Sequence, residues 1–408
     1  MRRTYRIPGL VLTEHEITVP LDHDRPDGPT ITVFAREVAD PDGVDRPFLV
    51  FLQGGPGCEA PRPFTPGGLP WMSRALRDYR VLMLDQRGTG RSSPIGALAG
   101  LTAAEQAAHL RCFRADSIVR DAELVRRALG APRWSVLGQS FGGFCVVTYL
   151  SIAPEGLAEA FVTGGLPPLQ RSTDEVYRAT YQRVIDRNRA YYARYPEDRA
   201  RVRAIHERLE RDPVRLPSGD RLRVRRFRQL GLLLGMSDGA ERLHYLLELP
   251  IDSPAFLHDV ESALSFARNP IYAVLHEACY ADGCATRWSA HRLLPAELEE
   301  PDAFTGEMVY PWMFEDYGAL APLRGAAEIL AEEAWRPLYD PDRLRRNDVP
   351  SSAAIYAEDM YVERAFSEET AKTIRGMKPW LTNEYEHNGV RADERVFDRL
   401  VALARGRA

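Results

Sequence analysis

Apolar residues along this chain fall first into short unbroken runs and later into helix-spaced stripes. The runs Phe48–Leu52 (FLVFL) and Arg80–Leu84 (RVLML) are too short for helices and lack polar alternation. They predict strands buried on both faces of a sheet. Upstream, Glu16–Val19 and Ile31–Arg36 predict two more strands around the turn-rich segment LDHDRPDGPT. Between Ala103 and Leu129 the apolar positions Ile118, Leu124, Val125 and Leu129 keep roughly helical spacing, and Gly130 is a stop signal. A strand at Trp134–Leu137 and a helix through Phe144–Leu150 follow. Strand and helix in alternation predict a parallel α/β sheet.

From Ser172 through Leu330 the pattern turns mostly helical, without clear β alternation. The α/β texture then returns: a strand at Ala353–Ala357, a helix at Ser367–Ile374, a strand at Lys378–Thr382 and a closing helix at Glu394–Ala404. The expected architecture is a mostly parallel sheet flanked by helices and split by an inserted helical cap. The expected boundaries are core 1–170, cap 171–335 and core 336–408.

Composition narrows this picture. At 408 residues the chain exceeds what a single core usually supports, which agrees with a large insertion. With 45% hydrophobic and 27% charged residues and a net charge of -5, it has no overall attraction to nucleic acid or anionic membrane. The arginine-rich stretch 171–228 is interleaved with acidic residues and reads as a solvated helix face. The stretch Leu293–Trp335 is the reverse, with ten acidic residues against one arginine. No apolar run approaches the roughly 20 residues that span a bilayer. The basic N-terminus has no apolar segment behind it, so a cytoplasmic protein is expected. Cys58, Cys112, Cys145, Cys279 and Cys284 are scattered, without a CxxC pair, and read as reduced thiols with no zinc site.

Gly138-Gln139-Ser140-Phe141-Gly142 fits G-x-S-x-G, with a predicted strand leading in and a helix leading out. That is the setting of the nucleophile elbow of α/β-hydrolases, in which the serine sits on a strained turn. A serine hydroxyl needs a histidine base and an acid to orient it, in chain order Ser, acid, His for this fold. Of the later histidines only His387 lies outside the predicted cap, in a loop after a late strand. The acid should end the preceding strand, where Glu358 and Asp359 are neighbours; alternation lets at most one of them face the histidine, and we take Asp359. The glycine loop Gln53–Gly57 follows the first buried strand, so the amides of Gly55 and Phe141 are the expected oxyanion-hole donors.

Together, FLQGGPG, LDQRGTGRSSP and GQSFGG resemble the proline iminopeptidases, serine peptidases of the α/β-hydrolase class. Gln53 stands where many members have histidine, and Phe141 where many have tryptophan; the glutamine is similar to the longer-chain subgroup. DMYV and NEYEHNGVRAD also resemble that subgroup and carry its acid and histidine to Asp359 and His387. The resemblance continues through NPIYAVLHEACYADG. It implies removal of N-terminal proline from a small peptide through an acyl-enzyme, without metal or organic cofactor. It further implies acidic cap residues that hold the substrate's amino group, with Glu277 as first candidate and Glu315 as second. Tyr272, Tyr280, Trp312 and Phe314 are candidate walls of a proline pocket. Asp85, Arg87 and Arg91 read as structural ties between loops. The same triad would also serve an esterase or amidase acting on a small non-peptide substrate. A hydrolase-fold binding protein would have no reason to keep it.

Overall fold

The computed structural model describes residues 2–407. Nine strands form one sheet: β1 (Arg2–Ile7), β2 (Leu10–Pro20), β3 (Thr30–Ala39), β4 (Phe48–Leu52), β5 (Arg80–Leu84), β6 (Trp134–Gln139), β7 (Leu157–Thr163), and two late strands. A small antiparallel hairpin, β8 (Val214–Arg215) and β9 (Arg221–Leu222), stands apart from it. The late strands are β10 (Ser351–Tyr356) and β11 (Met377–Thr382). The spatial order is β1-β2-β3-β5-β4-β6-β7-β10-β11. The strands from β5 to β11 in that order run parallel, and β1, β2 and β3 pair antiparallel at one edge.

The unbroken apolar runs behave as two-sided burial requires. In β4, Phe48, Val50 and Leu52 enter one core while Leu49 and Phe51 enter the other. The second face is covered by the helices Pro70–Asp78 and Glu394–Ala404, where Trp71 stacks on Phe51 at 4.6 Å and Phe397 meets Phe161 edge-on at 5.2 Å. The first face carries the helices Ala115–Ala128 and Phe141–Ile152, and its core continues without a break into the helical segment between β7 and β10.

Three expectations need correction. The helix expected over Ala103–Leu129 is two helices, Ala103–Leu110 and Ala115–Ala128, joined by a short 3-10 turn at Arg111–Phe113. The apolar periodicity spans the break, so spacing alone did not reveal it. Strand β7 was missed because Glu155–Glu159 dilutes its apolar run with polar and small residues. The arginines of 171–228 are not simply solvated: Arg183 pairs with Glu363, Arg199 and Arg203 with Asp302, and Arg225 with Asp316. Their partners are distant in sequence and tie the insertion together and to the core.

The DQRGTGRSSP segment is a hub of such ties. Arg87 is buried; its Nε and Nη2 donate to Asp121 at 2.7 and 2.6 Å, and it also donates to the carbonyls of Pro20, Leu21 and Cys112. Asp85 accepts from Arg62 and from the backbone amides of Ala60 and Arg91. Arg87→Met should leave the buried Asp121 carboxylate held by His23 alone among the described residues, and a loss of about 3–5 kcal/mol is expected. Urea unfolding measures it, and a midpoint unchanged from the parent would contradict the assignment.

Candidate active site

Strand β6 ends at Gln139, and the next residue, Ser140, adopts φ 56° and ψ -126° before the helix Phe141–Ile152 begins. This left-handed conformation is strained for a residue with a side chain. It is held by its surroundings: the Ser140 N–H donates to Thr163 O at 3.0 Å, and its carbonyl accepts from Gly143 N at 2.7 Å. Two glycines make the turn possible. A Cβ on Gly138 would stand 2.2 Å from the Gly142 carbonyl oxygen, and one on Gly142 would stand 1.9 Å from that of Leu52.

Asp359 and His387 lie in the loops after β10 and β11. His387 Nδ1 and Asp359 Oδ2 are 2.8 Å apart, with the residues only 5% and 2% exposed. The other carboxylate oxygen of Asp359 accepts from the amides of Tyr361 and Val362 at 2.8 and 3.1 Å. The Tyr361 ring meets the imidazole edge-on at 4.7 Å. These contacts fix the ring plane and assign the Nδ1 proton to the Asp359 side. Ser140 and His387 pack on consecutive glycines after β7. A Cβ on Gly165 would stand 2.1 Å from the Ser140 carbonyl oxygen, and one on Gly164 would stand 3.2 Å from His387 Nδ1.

The glycine loop closes the other side of the serine. A Cβ on Gly54 would stand 2.9 Å from Ser140 Cβ, so the loop backbone at Gly54 lies directly against the serine. Phe141 is the first residue of its helix, where backbone N–H groups lack intrahelical acceptors.

The acidic residues of the helical segment between β7 and β10 separate sharply. Glu277 is buried, at 6% exposure, but its Oε1 accepts from Ala290 N at 2.8 Å. Its charge acts on Tyr177, Tyr181 and Tyr310, and burial raises its pKa to about 7 against hydrogen bonds from the 286–290 segment. Its Oε2 is buried without a hydrogen-bond partner. Glu315, the second candidate, is a surface residue: its side chain is 45% exposed and pairs with Arg225 and Arg324 at 3.4 and 3.3 Å. That pairing corrects the sequence expectation. A solvated, neutralised carboxylate has no reason to hold an amine.

A carboxylate that sequence reading did not single out, Glu307, interacts with His387 through its charge. It accepts from Tyr272 Oη, and His276 Nε2 lies 3.7 Å from its Oε2. Burial works against its charged form, but His276, Tyr272 and the charge of His387 outweigh that and hold its pKa below the usual value. Conversely, burial works to lower the pKa of His387, yet Asp359, with help from Glu307, raises it. Tyr272, His276 and Tyr280 form one aromatic run: Tyr272 stacks on His276 at 5.3 Å, and Tyr280 meets His276 edge-on at 5.9 Å. Trp312 and Phe314 are elsewhere, packed on Tyr310 and Trp288.

A family model for the alpha/beta hydrolase fold matches residues 47–272. A proline iminopeptidase of Aeromonas sobria is 52% identical to this chain, over 98% of each protein.

The chain belongs to the proline iminopeptidase family of α/β-hydrolases.

A second family member, from Aspergillus aculeatus, is 38% identical over 98% of this chain and 95% of its own length. One from Xylella fastidiosa is 31% identical over only 40% of this chain. Among the described residues, no helix of this family member is long and apolar enough to cross a membrane.

Proposed function

We propose that this enzyme releases N-terminal proline from peptides by acyl transfer to Ser140. The carrying observation is Glu307, a carboxylate bonded by Tyr272 and set beside His276, close enough to His387 for their charges to interact. A prolyl N-terminus is a protonated secondary amine, and in a partly desolvated pocket it needs such a partner. The proline iminopeptidase names of relatives aligned over nearly the whole chain point the same way.

In this reading His387 Nε2 takes the Ser140 hydroxyl proton as Oγ attacks the prolyl carbonyl. Asp359 holds the imidazole and stabilises the imidazolium. The amides of Gly55 and Phe141 receive the oxyanion. The imidazolium then protonates the leaving amine, and water, activated by the same histidine, hydrolyses the prolyl ester. Segment 171–335 acts as the cap, supplying Tyr272, His276 and Glu307 over the serine. Glu277 supports that wall from behind by fixing the amide of Ala290. Cytoplasmic residence belongs to the same reading, and five unpaired cysteines favour a reducing compartment.

The test compares a proline arylamide with an acyl ester that lacks an amino group. The enzyme should cleave the arylamide, and Glu307→Gln should lower kcat/KM on it by about one to two orders of magnitude, mainly through KM. The ester should be far less sensitive to that change. Strong ester turnover without arylamide cleavage would mean a general esterase instead.

A further inference from the structure

Asp359 and His387 belong to different loops, one after β10 and one after β11. The two strands run parallel, and just past their ends Ala357 N–H donates to Thr382 O at 2.9 Å. Beyond that bond, among the described residues, the Asp359–His387 contact at 2.8 Å is the only hydrogen bond directly between the loops. Loops move more than the elements they connect, so one bond leaves their spacing loosely set.

The helical segment between β7 and β10 supplies further constraints. Arg187 stands on its first long helix, Thr173–Arg194. One nitrogen, Nη2, donates both to the carbonyl oxygen of Glu358 at 2.6 Å and to the carboxylate of Glu386. Glu358 immediately precedes Asp359, and Glu386 immediately precedes His387, so one guanidinium spans both loops. The far side of each loop is held as well. Ser237 N–H and Oγ donate to Asn388 Oδ1 at 3.1 and 2.7 Å, and Tyr361 Oη donates to Leu232 O. The helix that carries Arg187 is a firm base. Asn188, beside it, is buried, donates to Phe304 O at 2.9 Å and accepts from Phe304 N at 2.8 Å.

We propose that Arg187 is a positioning residue for the reaction, setting the spacing of the two loops that carry Asp359 and His387. This rests on the reading of those residues as acid and base, and goes beyond it by making the inserted helical segment part of what aligns them. Arg183, one turn earlier, provides the contrast. It donates to Glu363 through two nitrogens at 2.8 and 2.9 Å, the fuller tie, yet bonds neither Glu358 nor Glu386. If Arg187 only fastened the segment to the sheet, Arg183 would matter at least as much. Misplacing a catalytic group by about 1 Å can cost about a hundredfold in rate. A clamp between acid and base therefore acts on turnover and not on substrate binding.

The experiment measures kcat and KM on a proline arylamide and on an acyl ester without an amino group. The proteins are the parent, Arg187→Met, Arg187→Lys and Arg183→Met, each with its melting temperature. Arg187→Met should lower kcat about ten- to a hundredfold on both substrates, with KM within about threefold of the parent. Arg187→Lys keeps a cation with several donors and should recover part of the loss. Arg183→Met loses a partly exposed ion pair and should keep kcat within about threefold of the parent. A double variant, Arg187→Met with Glu386→Gln, should keep the full loss, because it removes the stranded carboxylate without restoring the clamp. An unchanged kcat in Arg187→Met, an equal loss in Arg183→Met, or recovery in the double variant overturns the proposal. If Arg187→Met melts too low to assay, Arg187→Gln replaces it under the same criteria. A parent that cleaves the ester but not the arylamide removes the aminopeptidase reading, and the clamp is then decided on the ester. A parent that cleaves neither removes both.

Discussion

Ser140→Ala is expected to lower kcat/KM on a proline arylamide by about five to six orders of magnitude. The change removes only Oγ. The neighbours that hold the turn act through the backbone of residue 140, namely the hydrogen bonds to Thr163 O and from Gly143 N and the contact with Gly165. The fold should therefore persist, and the Asp359–His387 pair with it. Residual turnover above that of water would report the oxyanion donors and substrate binding alone. The same strained turn gives a companion result. Ser140 has φ 56° and ψ -126°, a conformation that glycine adopts freely. Ser140→Gly should be inactive yet melt no lower than Ser140→Ala. A serine-directed fluorophosphonate should label the parent and neither variant. Turnover by Ser140→Ala within tenfold of the parent would end the acyl-enzyme mechanism.

Asp359→Asn carries the second largest effect, about four orders of magnitude in kcat, because an amide favours the wrong imidazole tautomer. Its pH profile is the sharper test. His387 must be neutral to accept the serine proton, so activity falls as pH drops through its pKa. In the parent that pKa is raised, because Asp359 and Glu307 outweigh burial. The acidic limb should therefore lie above the ordinary imidazole value. Removing the Asp359 charge leaves burial to dominate, and burial disfavours the imidazolium. The acidic limb of the residual activity should move to lower pH. A limb that stays in place or moves upward would show that the titrating group is not His387.

Much of this site was legible in the chain because its chemistry is local. The glycines around Ser140 are needed by contacts within one turn, so G-x-S-x-G between a strand and a helix identifies the elbow directly. Asp359 and His387 were accessible through order and periodicity, since each follows a short apolar strand near the end of the chain. The cap was different. Glu277 stood in a recognisable segment, but its neighbour His276 turns toward Glu307, while Glu277 turns toward Ala290. Which of two adjacent side chains meets Glu307 depends on how a five-residue helix, Ile271–Leu275, docks on the core. Glu307 is one of ten acidic residues in an otherwise unremarkable stretch. Nothing local distinguishes it from Glu315, which is exposed and paired with arginines.

The sequence by itself determined most strands of the sheet, though not β1 or β7, and the strand–turn–helix at Ser140. These follow from apolar spacing and from backbone conformations that only certain residues tolerate. Tertiary structure alone decided the engagement of Glu307 by Tyr272 and His276, the burial of Glu277 against Ala290 and the pairing of Glu315 with arginines. Each depends on burial and on charges contributed by distant segments. A carboxylate or guanidinium has no fixed role until its solvent and its partners are set.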